Sequence, residues 1–208
     1  MFLKTIKRKL VMEIPVRLYQ IVLVLTFSLV FNVNLAAKEI AGIEFSEKMS
    51  VSGMDNPLIL NGAGIRYKFF FKIYVGALYL PEKQDDAKKL LKESIANRVV
   101  MHFLYDEVEK KKLVNAWLEG FEDNVESSVF SAVKDRLDKF NQMFPDLYKG
   151  DVVLLDYIPQ LGTRVTIKGE SKGIIEGEDF NRALLSVWLG EEPVTEELKD
   201  AMLGIQEE

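Results

Sequence analysis

Arg66 and Tyr74 are the two residues of this sequence that most clearly suggest a binding chemistry, because they lie in one segment rich in aromatic side chains. An arginine that projects into a partly apolar cleft can bind a carboxylate with two parallel N–H donors, and a tyrosine hydroxyl can add a third donor. The alternative, in which Arg66 pairs with an acidic side chain at the surface, is equally consistent with the sequence. The pair is therefore a candidate carboxylate-binding site.

Other chemistries find less support in the residue types. The chain has no cysteine, which excludes a cysteine nucleophile, and its one histidine, His102, lies within an apolar run. One histidine is too few for a zinc site, although it would suffice as an axial haem ligand. Gly62 and Gly64 form a lone G-x-G, which is typical of a turn between strands or a close backbone approach rather than of a phosphate site. We expect no metal and no cofactor.

The first 37 residues have the pattern of a secretory signal peptide. Five basic side chains in the first 17 residues precede an apolar run over 21–33, which is followed by Ala36 and Ala37. The run is shorter than the roughly 20 residues of a spanning helix, and lipid attachment would require a cysteine. We therefore expect residues 1–37 to be a cleaved signal peptide and the protein to be periplasmic or secreted. An uncleaved anchor is the alternative.

The predicted mature domain, residues 38–208, is acidic. The whole chain carries a net charge of -5, and residues 1–37 contribute five basic groups and one acidic group, which leaves -9 for the mature domain. A polyanion such as nucleic acid would be repelled. The composition, 48% hydrophobic and 28% charged, is that of an ordinary globular protein, and one domain is expected.

A single long strand from Tyr67 to Leu80 is predicted to position the candidate site. Its odd-numbered residues are all apolar or aromatic, whereas the even-numbered residues mix cationic, aromatic and apolar side chains. Arg66 and Tyr74 share this second face with Phe70 and Leu78. We expect that face to line a cleft between a sheet and helices.

The rest of the chain is predicted to fold as strands, a helical middle, further strands and final helices. Apolar periodicity, turn formers and capping residues indicate the following elements: strands over 43–51, 98–105, 151–157, 163–168 and 172–176, and helices over 85–95, 106–121, 125–144, 180–190 and 195–204. This order favours an α+β fold with an antiparallel sheet and a layer of helices on one face.

Three stretches of the sequence resemble the signature segments of bacterial chalcone isomerase-like proteins. They are Leu60–Arg66 (LNGAGIR), Lys72–Leu80 (KIYVGALYL) and Gly177–Val194 (GEDFNRALLSVWLGEEPV). The resemblance extends over nearly all of the predicted mature domain. It implies an open-faced antiparallel sheet with helices against one face and a ligand cleft between the two layers.

The resemblance also bears on catalysis. In plant chalcone isomerases an arginine positions a phenolate, and threonines, a tyrosine and an asparagine support ring closure. Arg66 corresponds to that arginine and Asn115 to the asparagine. Tyr74 replaces one threonine, Val187 stands near the second, and Val108 stands near the catalytic tyrosine. An arginine beside a tyrosine is instead similar to the non-catalytic fatty-acid-binding branch, in which this pair holds a carboxylate.

These observations favour an exported, non-catalytic protein that binds a fatty acid or a similar apolar carboxylate. The candidate ligand-binding residues are Arg66, Tyr74, Asn115, Phe70 and Leu78. Three alternatives remain open at this point: an isomerase or lyase acting on a conjugated carbonyl, with the arginine stabilising an oxyanion, a haem-binding module with His102 or a tyrosine as ligand, and an interaction module of the cell envelope.

Overall fold

The computed structural model describes residues 37–205, which belong to one compact unit. The predicted signal peptide lies outside the described residues except for Ala37, which begins the first strand.

An antiparallel sheet forms the centre of the fold. The described residues contain eleven strands: β1 Ala37–Ile40, β2 Ile43–Ser46, β3 Lys48–Met49, β4 Leu58–Lys68, β5 Phe71–Leu80, β6 Asn97–Phe103, β7 Glu107–Val108, β8 Leu147–Tyr148, β9 Val152–Ile158, β10 Gly162–Ile167 and β11 Glu170–Ile175. Seven of them form one sheet in the order β11-β10-β9-β6-β5-β4-β3, and every neighbouring pair is antiparallel. β1 pairs with β2 and β7 pairs with β8 in two small separate sheets.

Helices cover one face of this sheet. They are α1 Ala87–Lys92, α2 Lys110–Asn124, α3 Ser127–Gln142, α4 Glu178–Leu189 and α5 Glu196–Leu203. The predicted end signals of α5 are confirmed, because the Thr195 hydroxyl accepts a hydrogen bond from the Leu198 amide and Gly204 ends the helix in the left-handed region at φ 75°. Within residues 37–205, no helix combines the length and the apolar character that crossing a membrane would need.

The two faces of the sheet contribute to different apolar clusters. On the helix face, side chains such as Leu78, Met101 and Phe103 pack with the buried stripes of the helices. On the opposite face, Val75 and Tyr79 pack with residues of β2, β4 and the segment between β3 and β4. The predicted α+β class with helices on one face is confirmed.

The two glycines of β4 permit a close approach of α5. A Cβ atom at Gly62 would lie 2.1 Å from the carbonyl oxygen of Ala201, and one at Gly64 would lie 2.5 Å from the Ala201 Cβ. The close-approach interpretation of this G-x-G is therefore correct, and the turn interpretation is wrong, because β4 continues through both glycines.

The prediction of one unbroken strand from Tyr67 to Leu80 is wrong. The chain reverses at Phe69 and Phe70, so that β4 and β5 form a hairpin in which Lys68 pairs with Phe71. Two aromatic residues occupy the turn, and because they are strand formers by propensity, the sequence contains no turn signal there.

The start of α2 also differs from its prediction. Asp106 precedes the short strand β7 instead of capping a helix, and α2 begins at Lys110, where the carboxylate of Asp146 accepts a hydrogen bond from the Lys110 amide at 2.7 Å. A carboxylate distant in sequence therefore replaces the predicted local cap.

Candidate ligand-binding site

A cavity of about 270 Å³ lies between the helix face of the sheet and α2, near the β4–β5 turn. Its lining is mainly apolar and includes Ile73, Met101, Phe103, Leu113, Trp117 and Val187. Exposed side chains of the hairpin and of the segment after β6 surround its opening, among them Phe69 and Tyr105. The cavity is therefore an apolar pocket with its mouth beside the hairpin turn.

Arg66 and Tyr74 both line this cavity, although not by the predicted geometry. They are direct cross-strand partners on β4 and β5, and the Arg66 Cζ lies 5.8 Å from the centroid of the Tyr74 ring. The alternation of the sequence predicts both residues on one face of a single strand, whereas the hairpin brings them together by pairing across two strands.

The half-buried guanidinium of Arg66 has no acidic partner among residues 37–205. The alternative in which Arg66 pairs with a surface acid therefore finds no support in the described part of the chain. A guanidinium carries five N–H donors and no acceptor, so these donors are available to an anion in the cavity.

Tyr74 is oriented by a buried tryptophan. The Trp188 Nε1–H donates a hydrogen bond to the Tyr74 hydroxyl at 2.9 Å, and both side chains are buried. An indole N–H can only donate, so the tyrosine oxygen accepts here and its own proton remains free for another acceptor. Burial raises the pKa of Tyr74, although the Arg66 charge and the Trp188 hydrogen bond act in the opposite direction. The phenol is therefore a neutral donor at physiological pH.

Trp117 contributes an indole to the cavity lining. It is 3% exposed, and its Nε1 has no hydrogen-bond partner in the structure. Its ring packs edge-on against Trp188 with centroids 5.5 Å apart. A buried N–H without an acceptor is uncommon in proteins. The Trp117 side chain lines the cavity, but its indole nitrogen is itself buried. The sequence pattern predicts both tryptophans only as parts of apolar helix stripes, and such a stripe does not distinguish an indole that only packs from one that also donates a hydrogen bond.

The charged groups around the mouth are mostly basic. Lys68 and Lys112 line the opening in addition to Arg66, and Glu107 is the acidic residue of the lining. Lys112 forms an ion pair with Glu109 at the surface, and Glu107 accepts a hydrogen bond from the Tyr148 hydroxyl at 3.2 Å. The local balance favours an anionic head group over a cationic one.

The other three candidate ligand residues lie outside the cavity lining, and their assignments need correction. Phe70 is 81% exposed because it occupies the hairpin turn, and Leu78 is fully buried in the core beneath the helices. Asn115 is exposed because the inward face of α2 is formed by Leu113 and Trp117.

Two valines that the resemblance to chalcone isomerases places near catalytic positions line the cavity. Val108 and Val187 both contribute to the cavity wall. These are the positions at which the resemblance to catalytic isomerases would require a tyrosine and a threonine. The cavity therefore presents apolar surface where those polar groups would stand.

His102 does not reach this cavity. It pairs with Val75 and Val152 across the sheet and lies on the face opposite to that of Met101 and Phe103. Burial lowers the pKa of its imidazole. A haem in this cavity would not be ligated by His102. Within residues 37–205, no group of three or more histidine, cysteine or acidic side chains could hold a metal ion.

The run Gly169–Gly173 has the form G-x-S-x-G, which occurs at the nucleophile of many hydrolases. Gly169 lies in the turn between β10 and β11 and the other four residues begin β11, so the motif is not at a strand-to-helix turn. It therefore has the geometry of an ordinary hairpin.

Comparisons with known proteins agree with this architecture. The sequence model of the family described as chalcone isomerase-like matches residues 37–204. Among the solved structures that match, a fatty-acid binding protein from Arabidopsis thaliana aligns with a TM-score of 0.66 and 16% identity, over 80% of this chain and 95% of that chain. At that identity the likeness shows the fold. No curated protein matches the sequence significantly.

Proposed function

The chain belongs to the chalcone isomerase-like family, and from this premise we propose that it is a non-catalytic protein that binds a fatty acid or a similar apolar carboxylate in the cavity. The observation that carries the proposal is the Arg66 guanidinium, which lines an apolar cavity without an acidic partner in the described residues.

The head group would be bound by donors from two side chains, Arg66 and Tyr74. A carboxylate has about four acceptor positions, and the Arg66 fork can occupy two of them. The free proton of the Tyr74 hydroxyl is the further donor in the same cavity. Hydrogen bonds to a charged group contribute about 1.5 to 3 kcal/mol each. Arg66 and Tyr74 thus offer the head group the N–H and O–H donors that an anion requires.

The size of the cavity suggests the length of the tail. A methylene group is close in size to a water molecule, which occupies about 30 Å³, so a cavity of about 270 Å³ accommodates about nine such groups. A medium-length chain such as that of decanoate would fit inside. A longer chain would extend through the mouth past Phe69 and Phe71. Fatty acids of medium length are therefore the proposed preferred class.

The absence of catalysis is proposed from the character of the wall. Val108 and Val187 supply no polar group to position a substrate or a water molecule, and an arginine alone supplies only electrostatic stabilisation. The similarity in fold to a fatty-acid binding protein also supports binding in place of catalysis.

Export is part of the proposal as well. It rests on the basic residues, the apolar run and the small residues of positions 1–37. Cell fractionation with N-terminal sequencing of the recovered protein would test it, and a mature N-terminus near Lys38 is the expected result.

The ligand hypothesis is tested by isothermal titration with octanoate, decanoate, laurate and palmitate. Arg66→Ala should weaken decanoate binding at least about tenfold, because a loss of about 1.4 kcal/mol corresponds to a factor of ten. Arg66→Lys should restore part of the loss, since the ammonium retains the charge but not the fork. Decanol should bind the wild type more weakly than decanoate and should be insensitive to Arg66→Ala.

Arg182→Ala is the matched control, because Arg182 lies on α4 in an exposed pair with Glu178 and does not line the cavity. It should bind decanoate as the wild type does. Equal decanoate affinity in the wild type and Arg66→Ala would contradict the proposal.

A further inference from the structure

The tip of the β4–β5 hairpin is the most apolar exposed feature of the described chain. Four of the five residues from 67 to 71 are aromatic, and together they form what we call the aromatic tip: Tyr67, Phe69, Phe70 and Phe71. They are 42%, 87%, 81% and 44% exposed, respectively. The Phe70 ring lies 4.4 Å from that of Phe71, which in turn contacts Tyr105 at 5.4 Å between centroids. Soluble proteins seldom expose a contiguous aromatic surface without a partner for it.

The backbone of the turn makes these residues still less expected. Phe69 has a φ of 56°, a left-handed conformation that favours glycine. Two-residue hairpin turns with a positive φ at their first central position normally carry glycine there. A phenylalanine at this position destabilises the backbone of the turn, and nearly its whole side chain is exposed to solvent. The stability of the hairpin therefore does not explain why a phenylalanine occupies this position. Such a choice at a strained position indicates a functional role.

The charges beside the tip are basic, whereas the domain as a whole is acidic. Lys68 and Lys72 flank the three phenylalanines, and neither forms an ion pair within residues 37–205. No aspartate or glutamate occurs between Leu58 and Pro81. The predicted mature domain carries -9 overall. This asymmetry would orient the molecule with its hairpin toward a negatively charged surface.

We propose that the aromatic tip docks into the headgroup region of an anionic lipid bilayer. Aromatic rings and lysines together are the side chains that membrane–water interfaces favour, with the rings at the headgroup level and the ammonium groups near lipid phosphates. An uncharged or cationic surface would not use the two lysines, and the acidic domain would be repelled by an anionic bilayer in any other orientation.

Docking in this way would bring the cavity to the lipid. Phe69 and Phe71 belong to both the aromatic tip and the cavity lining, so the mouth opens where the tip would enter the headgroups. A ligand could then pass between the bilayer and the cavity without crossing bulk water. Phe70 lies outside the cavity lining, which separates membrane contact from ligand contact in the experiment.

The test uses the full chain, which has no cysteine, so that a single introduced cysteine can carry an environment-sensitive fluorophore. Phe70→Cys places the label at the tip. Leu161→Cys is the matched control, because Leu161 is 43% exposed at the β9–β10 turn, at the opposite end of the sheet. Each labelled protein is mixed with vesicles of phosphatidylcholine, with or without phosphatidylglycerol, in the absence of fatty acid.

With phosphatidylglycerol vesicles, the label at position 70 should shift to shorter wavelength and be quenched by a lipid-borne quencher, and the label at position 161 should not. Lys72→Gln in the Phe70→Cys protein should weaken vesicle binding about fivefold, and raised salt should reduce the difference. Because the label reports its own surroundings, contact made by any other segment gives no signal at position 70.

Three results would overturn the proposal. They are no response at position 70 on anionic vesicles, an equal response at position 161, or the same response at position 70 without vesicles when the protein concentration is raised. The last would mean that a second copy of the chain covers the tip. None of them depends on fatty-acid binding, so failure here and failure of the carboxylate site are distinguishable.

Discussion

Tyr74→Phe should destabilise the protein by more than the loss of one hydroxyl suggests, because it leaves the Trp188 indole without an acceptor. Trp188 is 0% exposed, and its Nε1–H donates to the Tyr74 oxygen at 2.9 Å. Phenylalanine preserves the ring packing, so the change removes the acceptor and little else. A buried donor without a partner lowers stability by about 1 to 3 kcal/mol.

This penalty converts into a measurable shift in thermal stability. For a domain of this size, each kcal/mol corresponds to about 2 to 4 °C in melting temperature, so Tyr74→Phe should melt about 2 to 12 °C below the wild type. Urea denaturation should show a lower midpoint with an unchanged slope, since the surface exposed on unfolding is the same. Decanoate affinity should also fall, but by less than in Arg66→Ala, because a neutral donor is removed instead of the charge.

Tyr79→Phe is the matched control. The Tyr79 hydroxyl donates to the Ser46 carbonyl at 3.0 Å in a bond that is only partly buried, so water can replace the lost donor. Its loss should destabilise by about 0.5 to 1.5 kcal/mol. The decisive measurement is Tyr74→Phe in a Trp188→Phe background, where no indole donor remains and the penalty should shrink. An equal penalty in both backgrounds would refute the reasoning, since it would show no coupling between the two side chains.

Two further predictions follow from the packing and the charges. In urea denaturation, Gly62→Ala should destabilise the protein by at least about 1 to 3 kcal/mol, because its Cβ would lie 2.1 Å from the Ala201 carbonyl oxygen. The control Gly169→Asn, at an open position with φ 79°, should change the stability little. A Gly62→Ala protein as stable as the wild type would contradict the close approach. The Arg136 fork holds the pKa of Asp179 below its usual value, so its contribution to stability is present at neutral pH and is lost as the pH falls below about 4 through the folded-state pKa. In Asp179→Asn, the free energy of unfolding should therefore fall less steeply with decreasing pH than in the wild type. An equally steep fall in both proteins would show that the Arg136–Asp179 pair does not contribute to acid denaturation.

Much of the fold could be predicted from local signals, because capping and turn residues act over a few positions. Thr195 and Gly204 delimit the last helix as expected, and the hairpin of β10 and β11 follows its glycine-containing turn. The β4–β5 hairpin could not be predicted in this way, since Phe69 and Phe70 are residues that strands favour.

Of the five predicted site residues, Arg66 and Tyr74 line the cavity, whereas Phe70, Leu78 and Asn115 lie outside its lining. The geometry of the site could not be predicted. An arginine and a tyrosine in one aromatic segment predict a carboxylate-binding site if the fold brings the two side chains together. Their pairing across two strands, and the donors of Trp117 and Trp188 behind them, depend on contacts distant in sequence. Side chains on α2 and α4 meet β5 only after the helices pack, and no periodicity in the sequence encodes the direction of an indole N–H.

The face on which Arg66 lies depends on a one-residue irregularity in β4. Leu58 and Leu60 belong to the cluster on the face away from the helices, and strict alternation would place Arg66 on that face too. Leu60 pairs with Tyr79 and Gly62 pairs with Leu78, so Asn61 is an extra residue.

The bulge at Asn61 reverses the alternation, and Gly62, Gly64 and Arg66 consequently face the helices. Its side-chain amide is fully bonded, because it donates to the carbonyls of Gln84 and Met202 and accepts from the Gln84 amide, each at 2.8 Å. The hydrogen bond to the Met202 carbonyl also holds α5 at the position where Gly62 permits its close approach. The same residue thus fixes the helix against the sheet and turns the arginine toward the cavity, which couples the packing of α5 to the existence of the binding site.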